Sequence, residues 1–132
     1  MTYDLLLDEA IDYGLIVKEK SLQGSDGRIC DCKIAIRKDI DTSSRKMCVL
    51  AEELGHYMTS VGDILDQSDL NNAKQEHKAR VWAYNRLLSV DKVIEAAANG
   101  YTTTWDMAEY LDVDEEFLKD YLTWQGILDI LL

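Results

Sequence analysis

The chain has 132 residues, which is enough for one domain with a buried core and too few for two domains of ordinary size. Its 14 basic and 25 acidic residues give a formal net charge of −11, so most of its surface should repel nucleic-acid phosphates and anionic membranes. No apolar run approaches the ~20 residues that span a bilayer. The N-terminus is acidic, whereas a signal peptide begins with basic residues. The odd number of cysteines favours a reducing compartment over a set of disulfide bonds. We therefore expect one cytoplasmic domain that binds neither nucleic acid nor membrane.

The first predicted element is an amphipathic helix over TYDLLLDEAIDYG. Thr2 is a plausible N-cap, and Gly14 is a plausible end, because glycine commonly follows the last helical turn. The apolar side chains that fall near one helical face are Leu5, Leu6, Ala10 and Ile11.

A short β-hairpin is predicted next, with LIVKE and RICDCKIAIR as its strands and SLQGSDG as its turn. Side chains alternate in a strand, so Cys30, Cys32, Ile34 and Ile36 should share one side of the second strand. A buried cysteine face on a strand is the usual case, and Cys-x-Cys is therefore only a weak indication of a metal site.

A long helix should follow DIDTSSRK, in which Asp41, Thr42 or Ser43 can serve as the N-cap. Apolar residues recur along it at the spacing of a buried stripe, which should fix the helix against the core. These residues are Met47, Leu50, Ala51, Leu54, Tyr57 and Met58.

The stretch AEELGHY on this helix differs by one residue from the zinc-peptidase pattern His-Glu-x-x-His, because Glu52 stands at the first histidine. At ~100° per residue, Glu52 and His56 lie ~40° apart and Glu53 lies ~60° beyond His56. These three ionisable side chains should therefore border the apolar stripe. Such a pattern is most often a solvated acidic face, so the spacing alone does not establish a metal site.

A loop, SVGDILDQSDLNN, precedes a second long helix, AKQEHKARVWAYNRLLS, which could supply a third metal ligand. Glu76 is the preferred candidate, since Ala79 and Ala83 lie near its face and small residues let another helix approach closely. His77 is the alternative ligand. Its side chain should lie on the same helical face as Val81, Tyr84 and Leu88, which is also the expectation for a partly buried histidine with a structural role.

Shorter helices are predicted to begin near Ser89, Thr104 and Asp114. The last two resemble a DNA-binding helix-turn-helix in spacing. From residue 101 onward, however, the segment carries eight acids and one base, the reverse of a phosphate-binding surface. Its aromatic residues are expected to form a satellite core or a docking face: Trp105, Tyr110, Phe117, Tyr121 and Trp124.

CVLAEELGHYMTSVGDIL followed by KQEHKARVWAYNRLLS resembles the ImmA/IrrE family of metallopeptidases, specifically the phage-associated proteins of low-GC Gram-positive bacteria. That family joins a His-Glu-x-x-His helix to a later helix with a glutamate, then an alanine three residues on and another seven on. Glu76, Ala79 and Ala83 match the second part. KVIEAAANGYTTTWDMAEYLDVDEEFLKDYL is similar to the C-terminal helices of the same branch, so the resemblance runs from about residue 30 to 125.

The resemblance implies an α+β, zincin-like fold, mostly helical with a small N-terminal sheet. It implies one domain over residues 1–132, with a core at 1–90 and a C-terminal helical extension at 91–132. It also implies a zinc-dependent peptidase that cleaves a helix-turn-helix repressor of a phage or mobile element. By position, His56 and Glu76 would bind the metal, Glu53 would be the catalytic base, and a strand such as 33–37 would pair with extended substrate.

Glu52 departs from the family pattern and would be the third metal ligand. Two glutamates and one histidine bring more negative charge than the usual set, which makes zinc a weaker Lewis acid and admits manganese or iron. The alternative is a catalytically degenerate module that binds a regulator protein without cleaving it.

Overall fold

The computed structural model describes residues 1–60 and 69–128. Within these ranges the elements are α1 (Tyr3–Asp12), β1 (Ile16–Lys20), β2 (Gly27–Cys30), β3 (Lys33–Arg37), α2 (Ser43–Thr59), α3 (Asp69–Leu87), α4 (Val90–Ala98), α5 (Thr104–Leu111) and α6 (Glu115–Gln125). No described residue after Arg37 belongs to a strand. The predicted α+β class, with a small N-terminal sheet and helices after it, is confirmed.

Side-chain caps set the starts of the helices. The Thr42 hydroxyl accepts a hydrogen bond from the Arg45 amide at 3.1 Å, which satisfies one of the free N–H groups of the first turn. Thr42 is therefore the N-cap of α2 among the three predicted candidates. Thr2, Ser89, Thr103 and Asp114 cap α1, α4, α5 and α6 in the same way.

The sheet has the order β1-β3-β2, so the predicted hairpin is wrong. β1 pairs with β3 in parallel, and β2 pairs with β3 antiparallel. The chain turns at Asp31, whose φ of 53° lies in the left-handed region, and this turn divides RICDCKIAIR into two strands. Cys30 and Cys32 lie beside the turn and are exposed, so the predicted buried cysteine face is also wrong.

The core lies between the inner face of the sheet and the helices, where Ile34 and Ile36 are buried against residues of α1 and α2. Leu6 and Ala10 are the buried residues of α1, as predicted. Leu5 and Ile11 are 56% and 63% exposed, contrary to the prediction. The reason is that α1 packs through a narrow stripe centred on Leu6 and Ala10, one side of the broader face that periodicity suggested.

The C-terminal helices share this core and do not form a satellite. Phe117 and Tyr121 are buried and pack edge-on against Tyr84 of α3, with ring centroids 5.3 and 5.6 Å apart. Trp105 and Tyr110 remain exposed.

Most of the predicted loop between α2 and α3 lies outside the described residues, and α3 is helical from Asp69, earlier than predicted.

Among the described residues, no helix is both long and apolar enough to cross a membrane.

Candidate functional site

The candidate site is built where α3 crosses α2 at Gly55. A Cβ atom at Gly55 would lie 2.2 Å from the backbone oxygen of Ala79, a distance that real Cβ atoms do not reach. Ala79 and Ala83 are themselves buried. The two helix backbones therefore touch, as the small residues on α3 predicted.

This crossing brings together His56 and Glu76, two of the three predicted metal ligands. His56 follows Gly55 directly, and Glu76 lies about one turn before Ala79, so both side chains leave the contact on the same side. The Nε2 atom of His56 lies 3.2 Å from Oε1 of Glu76. The imidazole is largely covered, whereas the Glu76 side chain is 61% exposed, so the pair faces solvent from the Glu76 side.

Glu53, the predicted base, lies at the interface between α2 and β2. A Cβ atom at Gly27 would lie 3.1 Å from Cγ and 3.2 Å from Oε1 of Glu53, and only 2.7 Å from Val49 Cγ1. The absence of a side chain at Gly27 thus lets β2 pack directly over Glu53. Desolvation raises the pKa of Glu53 to about 7, and the carboxylates of Glu76 and Glu52 add to the effect.

Glu52, the substituted position, lies on the part of the α2 surface that faces α6. It lines a cleft of about 170 Å³ between α2 and α6, together with Asp26, Arg45 and Asp120. Desolvation raises the pKa of Glu52; the Arg80 guanidinium opposes this shift, while the Glu76 and Asp120 carboxylates add to it. Glu52 is therefore electrostatically coupled both to Glu76 and to α6.

His77 is separate from this pair. It is exposed and lines a shallow cleft of about 220 Å³ with Arg80, Tyr84 and Asp120. Its orientation toward Tyr84 agrees with the prediction, but the predicted partial burial is wrong. The reason is that Tyr84 sits deep in the core while the α3 surface around residue 77 is left uncovered.

The side chains of Glu52, His56 and Glu76 are chemically suited to a divalent cation, and the structure brings two of these three into contact. One imidazole and two carboxylates are acceptable ligands for zinc, and the oxygen-rich balance also suits manganese or iron. His56 and Glu76 are in contact. Among the described residues, no three His, Cys, Asp or Glu side chains come close enough together to hold a metal ion. The arrangement therefore presents two donors, with Glu52 one turn away on the same helix.

The strand predicted to pair with substrate, β3, cannot do so. It is the central strand, and its backbone groups already pair with β1 on one side and β2 on the other. An added strand needs an edge, and β2 is the edge strand that packs over Glu53. Sequence reasoning joined β2 and β3 into one strand and placed Gly27 in the preceding turn, although a glycine that opens an alternating strand is a known signal of close backbone approach.

Comparison with protein families gives one result. Residues 17–123 match the family Peptidase_M78, described as the IrrE N-terminal-like domain. No curated protein matches the chain. The matched range contains β2, β3 and α2 to α5 in full, and it includes every residue of the candidate site.

Proposed function

The chain belongs to the IrrE N-terminal-like family of metallopeptidases, Peptidase_M78, and from this premise we propose that it is a metal-dependent peptidase that cleaves a helix-turn-helix repressor of a phage or mobile element. The observation that carries the proposal is the His56–Glu76 contact beside the half-buried Glu53. Two metal donors and a carboxylate base beside the edge of a sheet are parts that metal-assisted peptide hydrolysis uses, and Glu52 would supply the third donor.

Glu52, His56 and Glu76 would hold the cation, with zinc as the first candidate and manganese or iron as alternatives. A bound cation would supply Lewis acidity to the scissile carbonyl and to the attacking water. Glu76 lies at the solvent-facing side of the pair, with its side chain 61% exposed. His56 is held by its covered position on α2, which limits the orientations that its ring can adopt.

Glu53 takes a proton from the attacking water and returns it to the leaving amine, the two steps of general acid–base catalysis. Its place under Gly27 puts the carboxylate next to the β2 backbone. An extended substrate that adds to the outer edge of β2 would therefore pass the base at close range. This edge takes the role that sequence analysis had given to residues 33–37.

The charge of the chain supports a repressor as substrate. A net charge of −11 attracts the basic surface with which a helix-turn-helix protein binds DNA, and opposite charges raise the rate of encounter. Such a surface is exposed whenever the repressor is off its operator.

The test uses the wild-type chain, Glu53→Gln, and a helix-turn-helix repressor encoded near the gene, with fragments identified by mass spectrometry. Wild type should release defined fragments, and Glu53→Gln should cut at least ~10²-fold more slowly because it keeps the shape of the base without its basicity. Glu109→Gln makes the same chemical change at an exposed residue of α5, outside the candidate site. This variant is the matched control and should cleave the repressor like wild type. Equal cleavage by wild type and Glu53→Gln would overturn the assignment of the base.

The position of Glu52 favours one alternative, a module that binds the regulator without cleaving it. Its carboxyl borders the α2–α6 cleft and is coupled to Arg80 and Asp120 as well as to Glu76. Glu52→His restores the usual ligand set and replaces an anion with a neutral imidazole. If wild type binds the repressor without cleaving it and Glu52→His cleaves it, the natural protein has the fold of a peptidase but acts as a binding protein.

A further inference from the structure

A groove of about 510 Å³ crosses the outer face of the sheet, opposite the helices. Paired residues of neighbouring strands point to the same side, so β1, β3 and β2 each contribute alternate side chains to this face. The residues that line it are Ile16, Lys18, Lys20, Leu22, Arg28, Cys30, Lys33, Ile34 and Ala35, of which Ile34 has its side chain buried on the inner face.

The groove is basic in a chain that is otherwise strongly acidic. Four of its nine lining residues are Lys or Arg and none is acidic, against a net charge of −11 for the whole chain. Within residues 1–60 and 69–128, none of the four has a carboxylate within 4.0 Å. By contrast, Arg37 at the end of β3 is paired with both Asp26 and Asp39. Within the described part of the chain, these four cations are thus left without an ion pair.

Apolar side chains lie between these cations. Ile16 is 48% exposed, although isoleucine is among the residues most often found inside proteins. Leu22 and Ala35 are half-buried and continue the apolar strip. The long stems of the lysines add further apolar surface beside it.

We propose that this groove docks an acidic segment of a partner protein in which carboxylates accompany aliphatic side chains. Carboxylates would pair with Lys18, Arg28 and Lys33, while aliphatic side chains cover Ile16 and Ala35. Charge complementarity steers the encounter, and burial of the apolar strip gives affinity.

The groove and the candidate site flank the same edge strand. Gly27 faces Glu53 on α2, and Arg28, the next residue of β2, points to the opposite face and lines the groove. A partner held in the groove could therefore pass around the edge of β2 toward Glu53. The docking itself goes beyond the proposed function, since it requires neither metal nor cleavage.

A protein partner fits the groove better than a nucleic acid. No lining residue is aromatic, so unpaired bases would find no stacking surface. The net charge of −11 over the whole chain disfavours a long phosphate backbone, whereas a short segment need meet only the groove.

The test measures fluorescence anisotropy with a labelled short peptide that alternates glutamate with aliphatic residues. Wild type should bind it, and the double reversal Lys18→Glu, Lys33→Glu should weaken binding at least ~10-fold because two favourable charge contacts become repulsive. Lys92→Glu, Lys119→Glu is the control with the same change of net charge on α4 and α6, and it should bind within about twofold of wild type. Glu53→Gln should bind like wild type, which separates docking from catalysis.

Three results would overturn the proposal: no binding of the acidic peptide by wild type, equal loss in the two double variants, or tighter binding of a single-stranded oligonucleotide than of the peptide. Circular dichroism of each variant distinguishes lost docking from lost folding. Should sedimentation show that wild type self-associates and that the Lys18→Glu, Lys33→Glu variant is monomeric, the occupant is a second copy of the chain and the proposal is wrong.

Discussion

Gly27 is a residue at which a single added carbon should disturb the packing around Glu53. A methyl group there meets Val49 Cγ1 at 2.7 Å and Glu53 at 3.1 Å, so either these side chains must move or β2 and α2 must separate. We expect Gly27→Ala to destabilise the fold by ~1–3 kcal/mol, the usual range for overpacking. The free energy of unfolding in urea measures this change.

Val49→Ala provides the control for that prediction. Alone it removes packing and should be mildly destabilising, but together with Gly27→Ala it removes the closer of the two clashes. The double variant should therefore be more stable than the sum of the single changes indicates. Strict additivity would show that the added methyl group does not press on Val49.

At the residue scale, helical periodicity located most of the candidate site. The half-burial of Glu52, Glu53 and His56 beside the apolar stripe follows from their spacing on α2. The exposure of Leu5 and Cys30 did not follow, because the burial of a side chain depends on which neighbour covers it. The periodicity of a sequence predicts which face of a helix or strand a side chain lies on, but it does not predict which other element packs against that face.

At the scale of elements, the α2–α3 crossing predicts that a glycine-to-alanine change at Gly55 lowers stability, although helix propensity alone would predict a gain. Gly→Ala inside a helix normally stabilises by ~1 kcal/mol. Gly55→Ala should instead destabilise by ~3 kcal/mol or more, because its methyl group would lie 2.2 Å from the Ala79 oxygen and force the helices apart. Urea denaturation measures the effect, and a gain in stability would contradict the helix contact.

The ion pair between α1 and α3 predicts a pH-dependent term in stability. Arg86 Nε lies 3.0 Å from each carboxylate oxygen of Glu9, and these bonds hold the pKa of Glu9 below its ordinary value of 4.5. A depressed carboxyl pKa stabilises the fold above the unfolded pKa, and this contribution is lost as pH falls through the folded pKa. Glu9→Gln should therefore cost ~1–2 kcal/mol at neutral pH.

Urea titrations at a series of pH values test this term. The difference between wild type and Glu9→Gln should be constant above the ordinary glutamate pKa of 4.5 and should shrink as the solution is acidified below it. Glu109→Gln, which is exposed on α5, should match wild type throughout. A difference for Glu9→Gln that persists unchanged in strong acid would assign the effect to packing.

The sheet is the element that sequence reasoning described least well. The alternation in RICDCKIAIR is real, but it continues across a turn at Asp31, and period two does not show where an alternating run folds back. The parallel pairing of β1 with β3 depends on the whole chain path. By contrast, the helices have local caps, and Thr42, Ser89 and Asp114 were predictable for that reason.

At the scale of the whole molecule, the packing of Tyr84 against Phe117 and Tyr121 joins α3 to α6 in one core. The division into a core at 1–90 and an extension at 91–132 stays a prediction about the chain's organisation. Charge is the other whole-molecule property: a chain with a net charge of −11 carries a groove lined by four Lys or Arg residues, which is the contrast on which the proposed docking rests.

The central claim is that His56 and Glu76 hold a catalytic cation, and the most direct test is the metal content of the untagged protein at known stoichiometry. After reconstitution with zinc, manganese or iron, wild type should hold about one ion per chain, as should His77→Ala and Glu53→Gln. His56→Ala and Glu76→Ala should each lose the ion, because each removes one of the two donors already in contact. A wild-type chain that binds none of these metals, or equal binding by all the variants, would contradict the account.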